Sequence, residues 1–243
     1  MKLLSIETAT EVCAVALAEN GKILSEISRE EKHIHAEQLV PMIQRILSET
    51  RTELAELDGV AVSIGPGSFT GLRIGLSVAK GLAFASNLPL VALSTLKALA
   101  YNVWKTIPVT TSAIVSVIEI QRDEFATAKF SSNDFYETHS ETAMTLFTKD
   151  SLQNVEEFFK KESEHFLLCG HNAEKFFQMF SLHHFHNVHL SKHAMNKCSA
   201  SSIALLGEQE LLQNEIADIA SLEPFYGKDF ITKKSTLFER IVQ

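Results

Sequence analysis

A glycine-rich run at residues 65–75 contains residue types that could bind phosphate. It reads Gly65-Pro66-Gly67-Ser68-Phe69-Thr70-Gly71-Leu72-Arg73-Ile74-Gly75 and follows the apolar stretch 60–64. Free backbone N–H groups at a glycine turn between a strand and a helix can bind an anion. A P-loop or a dinucleotide-binding loop would also need Gly at position 70, where this chain has Thr. The run therefore predicts the geometry of a nucleotide loop without its phosphate-binding residues.

Two polar residues of this run have structural explanations. Ser68 precedes the predicted helix, where a hydroxyl can cap a free N–H group, and it lacks the sequence context of a nucleophilic serine. Arg73 lies in the first turns of the helix, where a cation opposes the helix dipole. We therefore expect Arg73 to pair with a carboxylate such as Glu7 or Glu37, or with an external anion.

Small residues recur at every fourth position of the same helix. They are Gly71, Gly75, Ala79 and Ala83. A smooth side of this kind lets another backbone approach closely. The neighbour is either the chain's own sheet or the helix of a partner, and the sequence favours neither.

Two groups of histidines raise the question of a metal site. His33 and His35, near Glu37, lack the i, i+4 spacing of a zinc-binding pair on a helix. Five of the ten histidines lie in residues 183–193, which we interpret as a surface loop and strand. Glu7, at the end of the first predicted strand, is insufficient alone to hold a nucleotide-bound metal. We expect no metal site.

The composition indicates a soluble globular protein. A chain of 243 residues with 45% hydrophobic residues can form a large core, and its net charge of −8 argues against a free-standing nucleic-acid binder. Three cysteines without metal-ligand spacing are typical of a reducing cytoplasm. The start of the chain resembles a strand rather than a signal peptide, and no apolar run approaches ~18 residues. We therefore expect a cytoplasmic protein that does not enter membranes.

The first hundred residues predict the element order βββαβαβα. Strands are predicted over 3–6, 12–18, 22–27, 60–64 and 88–93. Helices are predicted over 35–49, 72–84 and 95–104. Pro41 predicts a kink or a restart of the first helix, and Ser94 is the expected N-cap of the third.

A similar but weaker order follows from residue 107. Strands are predicted over 112–120, 124–130 and 165–169, and helices over 152–161, 173–180 and 199–212. An irregular tail with Pro224 and Tyr226 ends the chain. We expect two α/β units, residues 1–105 and 106–243, with the last helix and the tail packing back toward the first unit.

A set of ordered motifs in the first hundred residues resembles the bacterial TsaB (YeaZ) family. The motifs are Ile6-Glu7-Thr8-Ala9-Thr10, Cys13-Ala14-Val15-Ala16-Leu17, residues 35–43, 65–75 and 79–83, and Leu93-Ser94-Thr95-Leu96. The resemblance implies an actin/Hsp70/sugar-kinase-like (ASKHA) fold. Such a fold has two α/β subdomains whose mixed sheets are flanked by helices.

The resemblance also implies a non-catalytic subunit of the machinery that makes threonylcarbamoyladenosine beside the anticodon of tRNA. Such a subunit pairs with the TsaD transferase, which TsaE joins as an ATPase, and reaches tRNA only through the complex. TsaD relatives bind metal through His-x-x-x-His, whereas Leu39 stands four residues after His35 here. We expect no catalytic residue and no cofactor, with a nucleotide at the junction with the partner as the alternative.

The predicted partner surface consists of the two N-terminal helices. Its residues are Leu39, Met42, Ile43 and Ile46 on the first helix and Gly71, Ile74, Gly75 and Val78 on the second. With the equivalent helices of a partner they would form a four-helix bundle. The same surface would serve a homodimer when the TsaD-like subunit is absent.

The second half departs from the family pattern. Residues 119–126 read Glu-Ile-Gln-Arg-Asp-Glu-Phe-Ala where the family has Asp-Ala-Arg-Arg-x-Glu-Val-Tyr, and residues 224–228 read Pro-Phe-Tyr-Gly-Lys instead of Pro-x-Tyr-Leu-Arg. Roles of the replaced side chains therefore do not transfer.

The rival hypothesis is an independent ASKHA-type ATPase or kinase that uses Glu7 and the glycine run. Two observations count against this hypothesis. The glycine run lacks the lysine that follows the second glycine of a P-loop, and the motifs contain no paired catalytic carboxylate.

Overall fold

The computed structural model describes residues 1–106, 113–135, 143–160, 164–192 and 196–227. Several positions named in the sequence predictions lie outside these ranges, among them residue 107, Ser112, Lys161, His193, Lys228 and the end of the predicted unit 106–243. Within the described part of the chain, no helix is both long and apolar enough to cross a membrane.

The first half forms a five-stranded sheet and three helices. The strands are β1 (Lys2–Glu7), β2 (Val12–Glu19), β3 (Lys22–Glu30), β4 (Gly59–Gly65) and β5 (Leu90–Ser94), and the helices are α1 (His35–Thr50), α2 (Phe69–Ser86) and α3 (Thr95–Trp104). The strand order is β3-β2-β1-β4-β5. The first three strands are antiparallel, whereas β4 and β5 continue the sheet in parallel with β1.

The second half repeats this arrangement. Its elements are β6 (Ala113–Gln121), β7 (Glu124–Phe130), β8 (Met144–Thr148), α4 (Leu152–Phe159), β9 (Phe166–His171), α5 (Ala173–Met179), β10 (Val188–Leu190) and α6 (Ala200–Leu212). The strand order β10-β9-β6-β7-β8 corresponds position by position to the first sheet. Both halves therefore have the order βββαβαβα.

Alternating side chains sort the core into layers. On β1, Leu4 and Ile6 pack against α1 and α2, while Leu3 faces the opposite side, where α3 and α6 lie between the two sheets. On β6, Val115 and Val117 face the phenylalanine-rich layer that α4 and α5 cover. This alternation follows from the two-residue period of a strand. The α6 helix packs on the first sheet, and α3 packs mainly on the second.

Helix starts follow the predicted caps. The Ser68 hydroxyl accepts a hydrogen bond from the Gly71 N–H at 3.2 Å, so α2 begins at Phe69, earlier than its apolar pattern suggested. Ser94 caps α3 in the same way through the Lys97 N–H. The α1 helix continues through Pro41 from His35, so no new helix begins at that proline.

Candidate functional site

The glycine loop packs directly on the turn between β1 and β2. A Cβ atom built on three of its glycines would overlap this turn: at Gly67 it would lie 2.3 Å from the Ala9 carbonyl oxygen, at Gly71 2.2 Å from the Thr8 carbonyl oxygen, and at Gly75 2.1 Å from Thr8 Oγ1. The Ser68 N–H donates to the Ala9 carbonyl at 2.7 Å. The glycines therefore permit a close contact inside the chain itself.

The small-residue side of α2 faces the chain's own sheet. Gly71, Gly75, Ala79 and Ala83 are all buried. The sequence left open whether these small residues contact the chain's own sheet or a partner helix. The structure shows contact with the sheet, and a side that is already buried cannot also receive a partner helix. The loop N–H groups of Ser68 and Gly71 already have acceptors, so they are not free for a phosphate.

Glu7 is enclosed beneath this turn. Its Oε1 accepts hydrogen bonds from the Ala9 N–H at 2.6 Å and from the Ser63 hydroxyl at 3.0 Å. Within the described part of the chain, Oε2 has no hydrogen-bond partner. Burial raises the pKa of Glu7 to about 7, because an ionised carboxylate is poorly solvated there. A carboxyl group in this position does not face the cleft and cannot serve as an exposed ligand for a nucleotide-bound metal.

The C-terminal tail lies over the glycine loop. The Phe225 N–H donates to the Ile64 carbonyl at 2.7 Å. A Cβ atom on Gly65 would lie 1.9 Å from the Phe225 carbonyl oxygen, and Gly65 has φ +122°, a conformation that favours glycine. The peptide between Gly65 and Pro66 is cis. The tail thus reaches the first helical turn of α2.

Of the two partners predicted for Arg73, the internal carboxylate is wrong, whereas the external anion stays a prediction. Its Nε donates to the Tyr226 hydroxyl at 2.7 Å, and its guanidinium carbon lies 4.0 Å from the centre of the Phe69 ring. No carboxylate of the described residues forms an ion pair with Arg73. Glu7 is buried beneath the turn, and Phe69 of α2 and Tyr226 of the tail lie beside Arg73 where a carboxylate was expected.

The α1 part of the predicted partner surface also needs correction. Leu39, Met42, Ile43 and Ile46 are at most 4% exposed. They pack against the first sheet in the same cluster as Val15 and Val60. An amphipathic helix has one apolar face, and here the chain's own sheet covers it.

The outer side of α2 remains open. Ile74 and Val78 are half-buried, whereas Ser77 and Gly81 are exposed, and a Cβ atom on Gly81 would have nothing within 4 Å. Phe84 is 81% exposed, an unusual exposure for so large an apolar side chain. The sequence predicted Ile74 and Val78 as part of this side but not Ser77, Gly81 or Phe84, although these exposed positions follow the helical period opposite the buried glycines.

A cleft of about 620 Å³ lies between the two halves beside the start of α2. Its lining includes Glu11, His33, Phe69, Glu119 and His171. Glu11 is paired with Lys32 at 3.4 Å, and Glu119 is held by Asn172 and Lys175. Burial lowers the pKa of His171, which favours its neutral form. The cleft therefore carries little uncompensated positive charge for a phosphate.

The two groups of histidines that raised the question of a metal site lie in different elements of the fold. His35 is buried with Nε2 3.2 Å from the Val12 carbonyl, and His33 is exposed before α1. His183 and His184 lie exposed in the short 3-10 helix Leu182–His184, which agrees with a surface interpretation of this stretch. Among the described residues, no three His, Cys, Asp or Glu side chains are arranged to hold a metal ion.

Comparison with known sequences identifies relatives named for the threonylcarbamoyladenosine modification of tRNA. The model of the tRNA N6-adenosine threonylcarbamoyltransferase (TsaD) family matches residues 22–236. The tRNA threonylcarbamoyladenosine biosynthesis protein TsaB of Escherichia coli is 40% identical over 105 residues, which are 43% of this chain and 45% of that protein. The TsaB protein of Buchnera aphidicola subsp. Acyrthosiphon pisum is 33% identical over 159 residues, or 65% of this chain and 71% of that protein. The match to the E. coli protein thus spans less than half of its length.

Solved structures support the fold. A Pseudomonas aeruginosa protein described as similar to peptidase YeaZ superposes with a TM-score of 0.75 at 22% identity, covering 93% of this chain and 99% of that one. The ROK hexokinase of Thermus thermophilus superposes with a TM-score of 0.53 at 11% identity, covering 88% and 100%. The predicted sugar-kinase-like fold with two mixed sheets is confirmed.

Proposed function

Because this chain belongs to the TsaB (YeaZ) family, we propose that it is a non-catalytic subunit required for N6-threonylcarbamoylation of the adenosine beside the anticodon of tRNA. It acts by binding and supporting a TsaD-like transferase subunit, with a TsaE-like ATPase. The names of its relatives and the match to the TsaD family model support this role. In this proposal the subunit works in the cytoplasm, reaches tRNA only through the complex, and forms a homodimer when alone.

The observation that carries the proposal is the closure of the glycine loop by the chain's own turn. A nucleotide enzyme needs free N–H groups and a cation at the phosphates, and usually a carboxylate that holds the metal. Here the Ser68 N–H is bonded to Ala9, and Glu7 is buried. These contacts favour a supporting subunit over an independent ATPase or kinase.

The outer side of α2 is the proposed partner surface. Ile74 and Val78 stay in this surface, and exposed Phe84 joins them, because large aromatic side chains at an interface contribute much of the binding energy. Ser77 and Gly81 leave room for a helix to approach closely. The four α1 residues predicted for the partner surface are buried in the core. In their place, Val40, which is 45% exposed, is the apolar residue that α1 contributes to this surface.

A charged substitution tests this surface. We expect Val78→Glu to abolish both co-purification with the TsaD-like subunit and self-association, because a partner would bury the new carboxylate without a counter-charge. Leu152→Glu is the control for an added surface charge, since Leu152 is a 47% exposed apolar residue on α4, on the outer side of the second sheet. Because Val78 also packs against the apolar cluster beneath α2, urea unfolding has to show that Val78→Glu is folded. If Val78→Glu retained both associations, the proposed surface would be refuted.

Calorimetry with ATP and Mg²⁺ separates the two hypotheses of function. The supporting role predicts no turnover by the isolated chain. Tight magnesium-dependent binding with turnover would favour the independent enzyme. Binding that requires the TsaD-like subunit as well would place a nucleotide at the junction between the two proteins.

A further inference from the structure

Arg73 is an exposed arginine whose orientation is fixed by aromatic groups. Phe69 and Tyr226 lie with their ring centres 4.9 Å apart, and the guanidinium carbon is 4.0 Å and 5.8 Å from these two centres. The Tyr226 hydroxyl accepts the Nε–H at 2.7 Å. Stacking on one ring and bonding to a second side chain hold the planar guanidinium in one direction.

The terminal nitrogens of Arg73 remain available. No described residue forms an ion pair with them, and Nε alone is engaged by Tyr226. Arg73 also belongs to the open side of α2, next to Ile74 and one turn before exposed Ser77. It is therefore a fixed cation beside the apolar part of the proposed partner surface.

Covering this face would remove water from the guanidinium. A buried charge without a hydrogen-bonding partner is strongly unfavourable, so an interface that covers α2 has to supply an acceptor. A carboxylate matches the two parallel N–H groups of a guanidinium and forms a charge-assisted, bidentate pair. Such a pair adds specificity to an otherwise apolar surface.

We propose that Arg73 is the charged anchor of the interface and binds a carboxylate side chain of the TsaD-like subunit. Phe69 and Tyr226 are its positioning residues. This inference rests on the proposed function and adds the chemistry that the partner must present. An RNA phosphate is the less favoured anion, because the net charge of the chain is −8 and RNA surfaces normally combine several cations.

The test is the affinity of this chain for the TsaD-like subunit at low and at high salt. Loss of a desolvated charge pair predicts that Arg73→Gln binds at least ~30-fold more weakly and that its affinity depends less on salt than that of the wild type. Arg73→Lys keeps the charge but loses the bidentate geometry, so we expect an intermediate loss. Lys160→Gln removes the same charge from an exposed position at the end of α4, away from α2, and should change the affinity less than about threefold.

A further variant separates positioning from other roles. Tyr226→Phe removes the hydroxyl that holds Nε, so we expect it to weaken binding less than Arg73→Gln does while keeping the salt dependence. A Tyr226→Phe affinity equal to that of the wild type would contradict the positioning role of Tyr226.

The outcomes distinguish this inference from the function on which it depends. If wild-type chain binds the TsaD-like subunit and Val78→Glu does not, the proposed surface stands. Arg73→Gln with an unchanged dissociation constant would then overturn the anchor alone. A loss of tRNA affinity in the assembled complex without a loss of subunit affinity would assign the anion to RNA and also overturn it.

Discussion

Thr8 Oγ1 lies 2.1 Å from the position that a Cβ atom of Gly75 would occupy. The helix α2 therefore rests on the turn after β1 at a separation that only glycine allows. Both residues are buried, and the same turn also contacts Gly67 and Gly71. The glycine run is explained by this intramolecular contact rather than by a bound phosphate.

A methyl group at Gly75 should destabilise the fold. We expect Gly75→Ala to lower the free energy of unfolding by about 1–3 kcal/mol, because the new atom overlaps the buried Thr8 side chain. Gly81→Ala is the control on the same helix, where a Cβ atom meets open space and alanine raises helix propensity. Urea denaturation measures both. Equal stability of Gly75→Ala and Gly81→Ala would contradict the packing.

Glu7 should make stability depend on pH. Its pKa is about 7 in the folded chain, where burial disfavours the charge, against an ordinary value of 4.5. The neutral carboxyl contributes full stability below about pH 4.5, and this contribution is lost as the pH rises through about 7. A pKa difference of about 2.5 corresponds to about 3 kcal/mol.

Glu7→Gln removes this ionisation. Its free energy of unfolding should therefore rise relative to that of the wild type by up to about 3 kcal/mol between pH 4.5 and pH 8. Exposed Glu37→Gln is the control. Parallel stability curves for Glu7→Gln and the wild type across this range would show that the carboxyl is not buried as described.

The cap of α2 should contribute to stability. We expect Ser68→Ala to cost about 1 kcal/mol, because the Gly71 N–H loses its acceptor. Ser77→Ala changes an exposed residue in the middle of the same helix and should be neutral or slightly stabilising. Thermal or urea unfolding compares the two variants. A cost no larger for Ser68→Ala than for Ser77→Ala would argue against the cap.

The three cysteines should be unreactive in the folded chain. Cys13, Cys169 and Cys198 are buried, and burial raises the pKa of Cys13 to about 11 and those of the other two above their ordinary values. Thiolates are the reactive species, so a thiol reagent at pH 8 should label all three only in denaturant. Rapid labelling of any of them without denaturant would contradict this burial.

The sequence predicted most elements because their apolar patterns are long and regular. It missed β8, and it gave no bounds for β10, which lies in the stretch 183–193 that it predicted as a surface loop and strand. The first is a five-residue strand, Met144–Thr148, that pairs only with β7, and the second is the three-residue strand Val188–Leu190 beside β9. Strands this short owe their structure to the neighbouring strand rather than to local preference.

The candidate site was predicted less well for a related reason. An apolar face on α1 requires burial, but its pattern does not say whether the sheet or a partner covers Leu39 and Ile46. The partner of Arg73 is Tyr226, which is 153 positions away in the sequence. Only the folded tail brings these two residues together, so spacing near Arg73 could not indicate it.

The most direct test of the account is tRNA threonylcarbamoylation in a reconstituted reaction that contains the TsaD-like and TsaE-like proteins. We predict that the modified nucleoside forms when wild-type chain is present, and that it fails to form without the chain or with Val78→Glu, while Leu152→Glu restores it fully. Full modification in the absence of the chain would contradict the proposed supporting role.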